Sequence, residues 1–376
     1  MTPPLTPLEK DPFVLIVVGT RPEIIKVAPI VKASFEENRP VALVHTGQHY
    51  SYELDSLIFR DLDLEPPRFN LRIGSGTHAE ETSKALVGLE DVFRRVRPDI
   101  VMVQGDTNSA LAGALAAAKM RIPVGHIEAG LRSFDRRMPE ETNRILTDHI
   151  SDILFAPTEI SAKNLLSEGI SSSRTLITGN TIVDAVNMAL QKIPSKSKAT
   201  EERSMVFDED FFLLTLHREE NVDMEVRLRN IIKGVGMASK QFGTKVLFPA
   251  HPRTTNRIQQ FGIALPETLA IIPPLGFLDF VSLERNARLI LTDSGGVQEE
   301  ACILGVPCVT LRDNTERPET VSVGANLLAG TNPKDILHSS NLMIENSPSW
   351  AHPFGDGRAG MKIFNSVAQE DWSRSN

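Results

Sequence analysis

Short, unbroken apolar runs recur along this chain and alternate with segments that carry helical spacing. The runs at 13–18, 41–45, 100–104, 124–127 and 153–156 form one series. Those at 211–216, 245–249, 289–291 and 308–311 form a second. A strand with one wet face alternates apolar and polar residues. Continuous Val/Ile/Leu runs belong to parallel strands covered on both faces. Such strands alternating with helices make α/β domains with right-handed crossovers. At 376 residues the chain is too long for one ordinary core, so two domains are expected. Around QKIPSKSKATEE the apolar periodicity lapses, and 191–203 reads as a linker. The expected organisation is an extension over 1–12, a domain over 13–190, the linker, and a second domain over 204–356.

The formal net charge of -8 opposes a nucleic-acid or anionic-membrane partner, though an anionic small ligand responds to local charge. No apolar run reaches the length of a membrane helix, and MTPPLTPLEKDP lacks a signal-peptide core, so the expected compartment is the cytoplasm. Cys302 and Cys308 are expected to pack as small apolar residues rather than form a bridge or hold a metal.

In doubly wound sheets ligands bind beyond the carboxyl ends of the strands, so residues following the runs matter most. After 289–291 comes LTDSGGVQEE. Ser294, Gly295 and Gly296 permit a tight turn into a helix whose free N–H groups and positive dipole end suit a phosphate. Glu300, four residues past Gly296, lies one turn up the same helix face, where a carboxylate can accept both hydroxyls of a ribose. Alone, a Ser-Gly-Gly turn more often just packs a helix against a strand.

The first run leads into GTRPEIIK, where Pro22 suits the start of a helix and Thr20 or Arg21 its cap. Arg21 and Lys26 then place two cations near that helix start, although Arg21 could equally be a solvated surface charge. Asp106 follows 100–104 and Glu128 follows 124–127. The next helix start, MPEETNR, carries Glu140, Glu141 and Arg144. A single strand-end carboxylate is commonly a cap, but three with an arginine exceed that explanation. Packed carboxylates raise one another's pKa and become usable acids or bases near neutral pH. Glu140 and Arg144 have the i, i+4 spacing of an ion pair. His217 follows 211–216 and gains weight only by facing the same cleft; His251 after 245–249 is weaker. No HExxH or CxxC spacing occurs, so no metal is expected.

Together, GTRPEIIK, HTGQHY, QGDTNS, HIEAGLRS, MPEETNR, TLHREEN, LTDSGGVQEE, DNTERPE and PFGDG resemble the non-hydrolysing UDP-N-acetylglucosamine 2-epimerases, from Gly19 to about Gly357. The resemblance implies a GT-B-like α/β fold: two Rossmann-like domains with a substrate cleft between them, and a C-terminal helix at about 357–372 returning to the first. It implies that Asp106, Glu128, Glu140, Arg144 and His217 are catalytic. It further implies that Arg21, Lys26, Ser294, Gly295, Gly296, Glu300 and Arg317 contact the substrate, and that Phe280 flanks the uracil. Leu275 stands where bacterial members have a glutamine, leaving at most a backbone contact. Gln48 and His49 match a pair through which bacterial members hold an activating second substrate, though the following residues differ. The family habit is a homodimer acting on a UDP-sugar.

The implied chemistry removes the C2 proton as UDP leaves C1, giving 2-acetamidoglucal and UDP. Re-addition with protonation from the other face follows. The leaving diphosphate needs preorganised positive groups and N–H donors, and the glycal needs protection from water. The first strand ends in Gly19-Thr20-Arg21 rather than a dinucleotide fingerprint, so no nicotinamide or other cofactor is expected. The rival readings are a hydrolysing epimerase, a uronate nucleotide-sugar epimerase, a GT-B glycosyltransferase and a non-catalytic nucleotide-sugar sensor.

Overall fold

A computed structural model of the chain describes residues 14–39, 41–47, 52–193, 210–345, 349–370 and 372. The contacts divide it into two compact units, 1–185 with 354–376, and 186–353. Most of the expected linker, from 194 onward, lies outside the described residues, as do Gln48 and His49.

The first unit runs β1 (Val14–Val18), α1 (Arg21–Glu36), β2 (Val41–His45), α2 (Tyr52–Asp61), β3 (Phe69–Asn70), α3 (His78–Val96), β4 (Ile100–Gln104), α4 (Asn108–Lys119), β5 (Val124–Ile127), α5 (Pro139–Ile150), β6 (Ile153–Ala156), α6 (Glu159–Ser167) and β7 (Thr175–Ile177). Helix α7 (Thr181–Lys192) crosses the division between the units. The parallel sheet has the order β3-β2-β1-β4-β5-β6-β7. β1 and β4 are buried at every position, which is why their sequences are unbroken apolar runs. Leu15 and Val17 pack with α3 and α4, leaving the alternate residues Val14, Ile16 and Val18 for the opposite face. Strand order reverses at β1, so the ends of β1 and β4 open the crevice where such sheets bind ligands.

The second unit runs β8 (Phe211–Thr215), α8 (Glu219–Val222), α9 (Glu225–Phe242), β9 (Lys245–Pro249), α10 (Pro252–Gln260), β10 (Leu269–Ile272), α11 (Phe277–Asn286), β11 (Leu289–Thr292), α12 (Gly295–Leu304), β12 (Cys308–Thr310), α13 (Pro318–Ser322), β13 (Asn326–Leu328) and α14 (Pro333–Glu345). Its parallel sheet, β10-β9-β8-β11-β12-β13, repeats the first unit's winding, with the reversal at β8 and β11. Phe212, Leu214 and Leu291 meet α9 and α14 on one face. Phe211, Leu213 and Ile290 meet α11 and α12 on the other.

The chain ends in α15 (Ala359–Gln369), which packs on α1 of the first unit. Asp184 accepts from the Ala359 and Gly360 amides at 3.2 and 2.9 Å, supplying the acceptor that a helix start needs. A Cβ on Gly360 would sit 2.6 Å from the Pro29 Cβ, so glycine permits this close approach. Cys302 and Cys308 are free thiols buried in the second unit, and burial pushes the Cys302 thiol up to about 12. Among the described residues, no helix is long and apolar enough to cross a membrane.

Candidate active site

In the first unit the site is built at the ends of β1, β4 and β5. Thr20 caps α1 in a capping box with Glu23. One Glu23 oxygen accepts from the Gly19 and Thr20 amides at 2.8 and 2.7 Å; the other accepts from Thr107 Oγ1 at 2.7 Å. Glu23 thus ties the loop after β1 to the loop after β4. Burial pushes its carboxyl up to about 7, against the hydrogen bonds from Thr107, Gly19 and Thr20. Arg21, the first residue of α1, is half-buried.

Lys26 is buried one turn further along α1, and its Nζ lies 2.5 Å from Glu128 Oε1. Gln104 Nε2 also donates to the Glu128 carboxylate, as does Asn180 Nδ2 at 3.2 Å. Three donors therefore compensate one buried carboxylate. Glu128 has φ +68°, a left-handed conformation that costs a non-glycine residue free energy and clusters at functional sites. Its Oε2 lies 3.7 Å from where a Cβ on Gly105 would stand, beside the residue preceding Asp106.

Asp106 does not cap α4; Thr107 does, accepting from the Ala110 amide at 3.1 Å. The Asp106 carboxylate pairs with Arg144 instead. Arg144 is also held by Glu141, whose Oε2 lies 2.5 Å from its NH1. Glu141, three residues before Arg144 on α5, thus supplies an ion pair from the same helix. Glu141 further accepts from the Ser133 and Phe134 amides at 3.0 and 2.9 Å, joining the AGLRSFD loop to α5. Glu140 stands half-buried in the first turn of α5, where a negative charge is favoured by the helix dipole.

The second unit places a separate cluster at the ends of β8 and β11. Asp293 is fully buried and accepts from the His217 and Arg218 amides, each at 3.1 Å, and from Asn221 Nδ2 at 3.2 Å. The His217 ring is half exposed, with Nδ1 4.0 Å from Asp293 Oδ1. Ser294 caps α12, its Oγ accepting from the Val297 amide at 3.5 Å. The amides of Gly295 and Gly296 belong to the first helical turn, which has no carbonyls to serve it from within the helix. A Cβ on Gly295 would meet Glu316 Oε1 at 2.4 Å, whereas one on Gly296 would find nothing nearer than 3.9 Å.

Glu316 is itself fixed by Arg218 at 3.2 Å and Arg312 at 2.9 Å. Arg317 pairs with Glu299 of α12 at 2.5 Å. Glu300 is almost buried beside Glu284 of α11, whose carboxyl is pushed well up by burial and then by the Glu300 charge. Leu275 and Phe280 are half-buried against the apolar cluster that includes Val297 and Ala301 of α12, next to the proposed nucleotide turn. His251 is an exposed cap of α10, accepting from the Arg253 amide at 3.2 Å.

The first unit thus brings Lys26 to Glu128 and Arg144 to Asp106, while Arg21 and Glu140 stand at the starts of α1 and α5. The second gathers His217, the Ser294–Gly296 turn, Glu300 and Arg317. Of the residues holding these carboxylates, Lys26, Glu141 and Arg144 lie in segments singled out from the sequence, whereas Glu23, Gln104 and Asn180 were given no role there. Glu23 was signalled by its capping-box position after Thr20, and Glu141 by its acidic place at a helix start. Gln104 opens the QGDTNS segment but gave no sign of facing Glu128, and for Asn180, a single polar residue distant in sequence, no local signal existed. Among the described residues, no group of three or more His, Cys, Asp or Glu side chains is placed to hold a metal ion.

The family model for UDP-N-acetylglucosamine 2-epimerase matches residues 33–368. The chain belongs to this family. A Methanocaldococcus jannaschii protein named UDP-N-acetylglucosamine 2-epimerase is 52% identical over 354 residues, covering 93% of this chain and 96% of the relative. The crystal structure of the M. jannaschii enzyme with UDP-GlcNAc and UDP superposes with a TM-score of 0.89 at 49% identity, covering 95% of this chain and 99% of that one. A Pseudomonas aeruginosa relative named UDP-2,3-diacetamido-2,3-dideoxy-D-glucuronate 2-epimerase is 40% identical over 360 residues, covering 95% of this chain and 99% of its own. The fold of the family is GT-B-like, and the two parallel-sheet units described above are its Rossmann-like halves.

Proposed function

We propose that this chain interconverts UDP-N-acetylglucosamine and UDP-N-acetylmannosamine without hydrolysing the nucleotide sugar. The C2 proton is taken as the C1–O bond to UDP breaks, leaving 2-acetamidoglucal and UDP. UDP then returns to C1 while a proton is delivered to the opposite face of C2. The observation that carries this reading is Glu128, a buried carboxylate in a left-handed conformation and supplied with three donors. Structural carboxylates rarely need so costly a setting. Asp106, pinned by Arg144, and Glu140 complete the acid–base set, one carboxylate serving as base and another as acid.

In the second unit, the Ser294–Gly296 turn offers N–H donors to the diphosphate, Glu300 accepts the ribose hydroxyls and Phe280 flanks the base. Arg21, Arg317 and His217 offset charge that develops on the leaving UDP. We take the working form to be a cytoplasmic homodimer that needs no dissociable cofactor. The names of the M. jannaschii relatives favour the N-acetylglucosamine substrate; the P. aeruginosa name supplies the uronate alternative.

Proton NMR of the products after incubation with UDP-N-acetylglucosamine tests the proposal. UDP-N-acetylmannosamine with its nucleotide attached is expected. Free N-acetylmannosamine as main product would establish the hydrolysing reaction, and turnover of the diacetamido-uronate nucleotide alone would establish the other substrate.

A further inference from the structure

His126, in the HIEAGLRS segment, is fully buried on β5 and has no part in the proposed chemistry. Its Nε2 lies 2.8 Å from the Gly105 carbonyl oxygen and its Nδ1 lies 2.7 Å from Asp148 Oδ1. A carbonyl can only accept. Asp148 already accepts from the Gly130 amide at 3.2 Å and is paired with Arg132 at 2.7 Å. A neutral imidazole has one N–H and could serve only one of these acceptors, leaving two lone pairs facing each other in a dry interior. The extra proton must therefore reside on the ring or on Asp148. Arg132 and the Gly130 amide hold the negative charge on Asp148, which assigns the proton to the ring.

We infer that His126 is a buried imidazolium that holds the turn carrying Asp106 through a charge-assisted hydrogen bond to the Gly105 carbonyl. The cluster is balanced: Arg132 also pairs with Glu168 at 2.7 Å, so two cations, His126 and Arg132, face two carboxylates, Asp148 and Glu168. His149 approaches the outer side of Glu168 at 3.5 Å. The neighbouring strands place the apolar residues Val103 and Leu154 in register with His126, so the charged groups on it come from α5 and the loop after β5. Arg144 holds the Asp106 side chain, while the backbone of the turn is otherwise held by neutral hydrogen bonds, from the Gly105 amide to Ile127 O at 3.0 Å and from Asn143 Nδ2 to Asp106 O at 3.0 Å. A donor that carries charge is the stronger anchor. Gly105 sits at φ +70°, so its carbonyl direction sets the path into Asp106. His126 is thus a positioning residue acting through Asp106, an inference that rests on the proposed role of Asp106 in the reaction.

Nitrogen NMR of the full-length chain labelled at histidine, at pH 8, reads the ring directly, with the His126→Gln spectrum giving the assignment. Two N–H protons and the matched nitrogen shifts of an imidazolium are expected; the split shifts of a neutral ring would overturn the inference. If His126→Gln does not fold, successive labelling of the wild type with other histidines replaced supplies the assignment.

The kinetic arm compares His126→Gln, Asp106→Asn and the double variant. A displaced catalytic group costs on the order of 100-fold, so His126→Gln should lose about that in kcat with KM little changed. Because the two residues act in series, the double variant should be no slower than Asp106→Asn alone. Additive losses would overturn the positioning role. Full activity of Asp106→Asn would instead refute the proposed role of Asp106, and the NMR result would still decide the state of the ring.

Discussion

Glu23 shows how a residue given no part in the proposed chemistry can govern when the first unit is most stable. Its carboxyl lies at about 7 in the folded chain against 4.5 for an ordinary glutamate, because burial outweighs its hydrogen bonds. The folded state therefore keeps a proton that the unfolded state has already released between those values. Stability falls as pH rises through that window and stays reduced above it, by about 3 kcal/mol from this group. Glu23→Gln mimics the protonated acid: one oxygen can still accept from Gly19 and Thr20, and the amide can donate to Thr107. The difference in thermal midpoint between Glu23→Gln and wild type should grow in favour of the variant from pH 5 to pH 8. A constant difference would show that Glu23 does not retain its proton.

At the scale of elements, helix α12 combines a spatial constraint with a binding constraint. Gly295→Ala would drive a methyl into Glu316, a buried side chain already fixed by two arginines, and should destabilise the second unit by roughly 1–3 kcal/mol. Gly296→Ala has open space and should leave unfolding by urea unchanged. Glu300→Ala should weaken UDP binding by roughly 1.5–3 kcal/mol per lost ribose bond, as measured by calorimetry, while the fold persists. Unchanged affinity would remove Glu300 from the nucleotide site.

The central strands and the helices following them were legible because burial on both faces forces continuous apolar sequence. The edge strands β3, β7, β10 and β13 were not. They are short and keep exposed or half-buried positions, so their residues carry mixed polarity. The site was legible in its acids and glycines, which follow central strands. Its support was not: the partners of Glu128 come from α1, β4 and the segment before α7, and only the fold brings them together.

For the whole molecule, the return of the chain end to its first unit includes one tight contact, between Gly360 and Pro29. Gly360→Val would push a branched side chain into Pro29 of α1 and should lower the stability of the first unit by roughly 1–3 kcal/mol, leaving UDP affinity in the second unit intact. Equal loss of both would mean that the units do not behave separately. The chemistry proposed for the molecule makes one demand that the hydrolysing, glycosyltransferase and sensor readings do not share: the C2 hydrogen must exchange with solvent while the product keeps UDP at C1. Turnover in D2O, followed by mass and proton NMR of the nucleotide sugars, tests this directly. Deuterium should appear at C2 of UDP-N-acetylmannosamine and, near equilibrium, of UDP-N-acetylglucosamine. The rate should fall by roughly 100- to 10,000-fold when Asp106, Glu128 or Glu140 becomes its amide. Epimerisation that leaves C2 unlabelled would contradict the account.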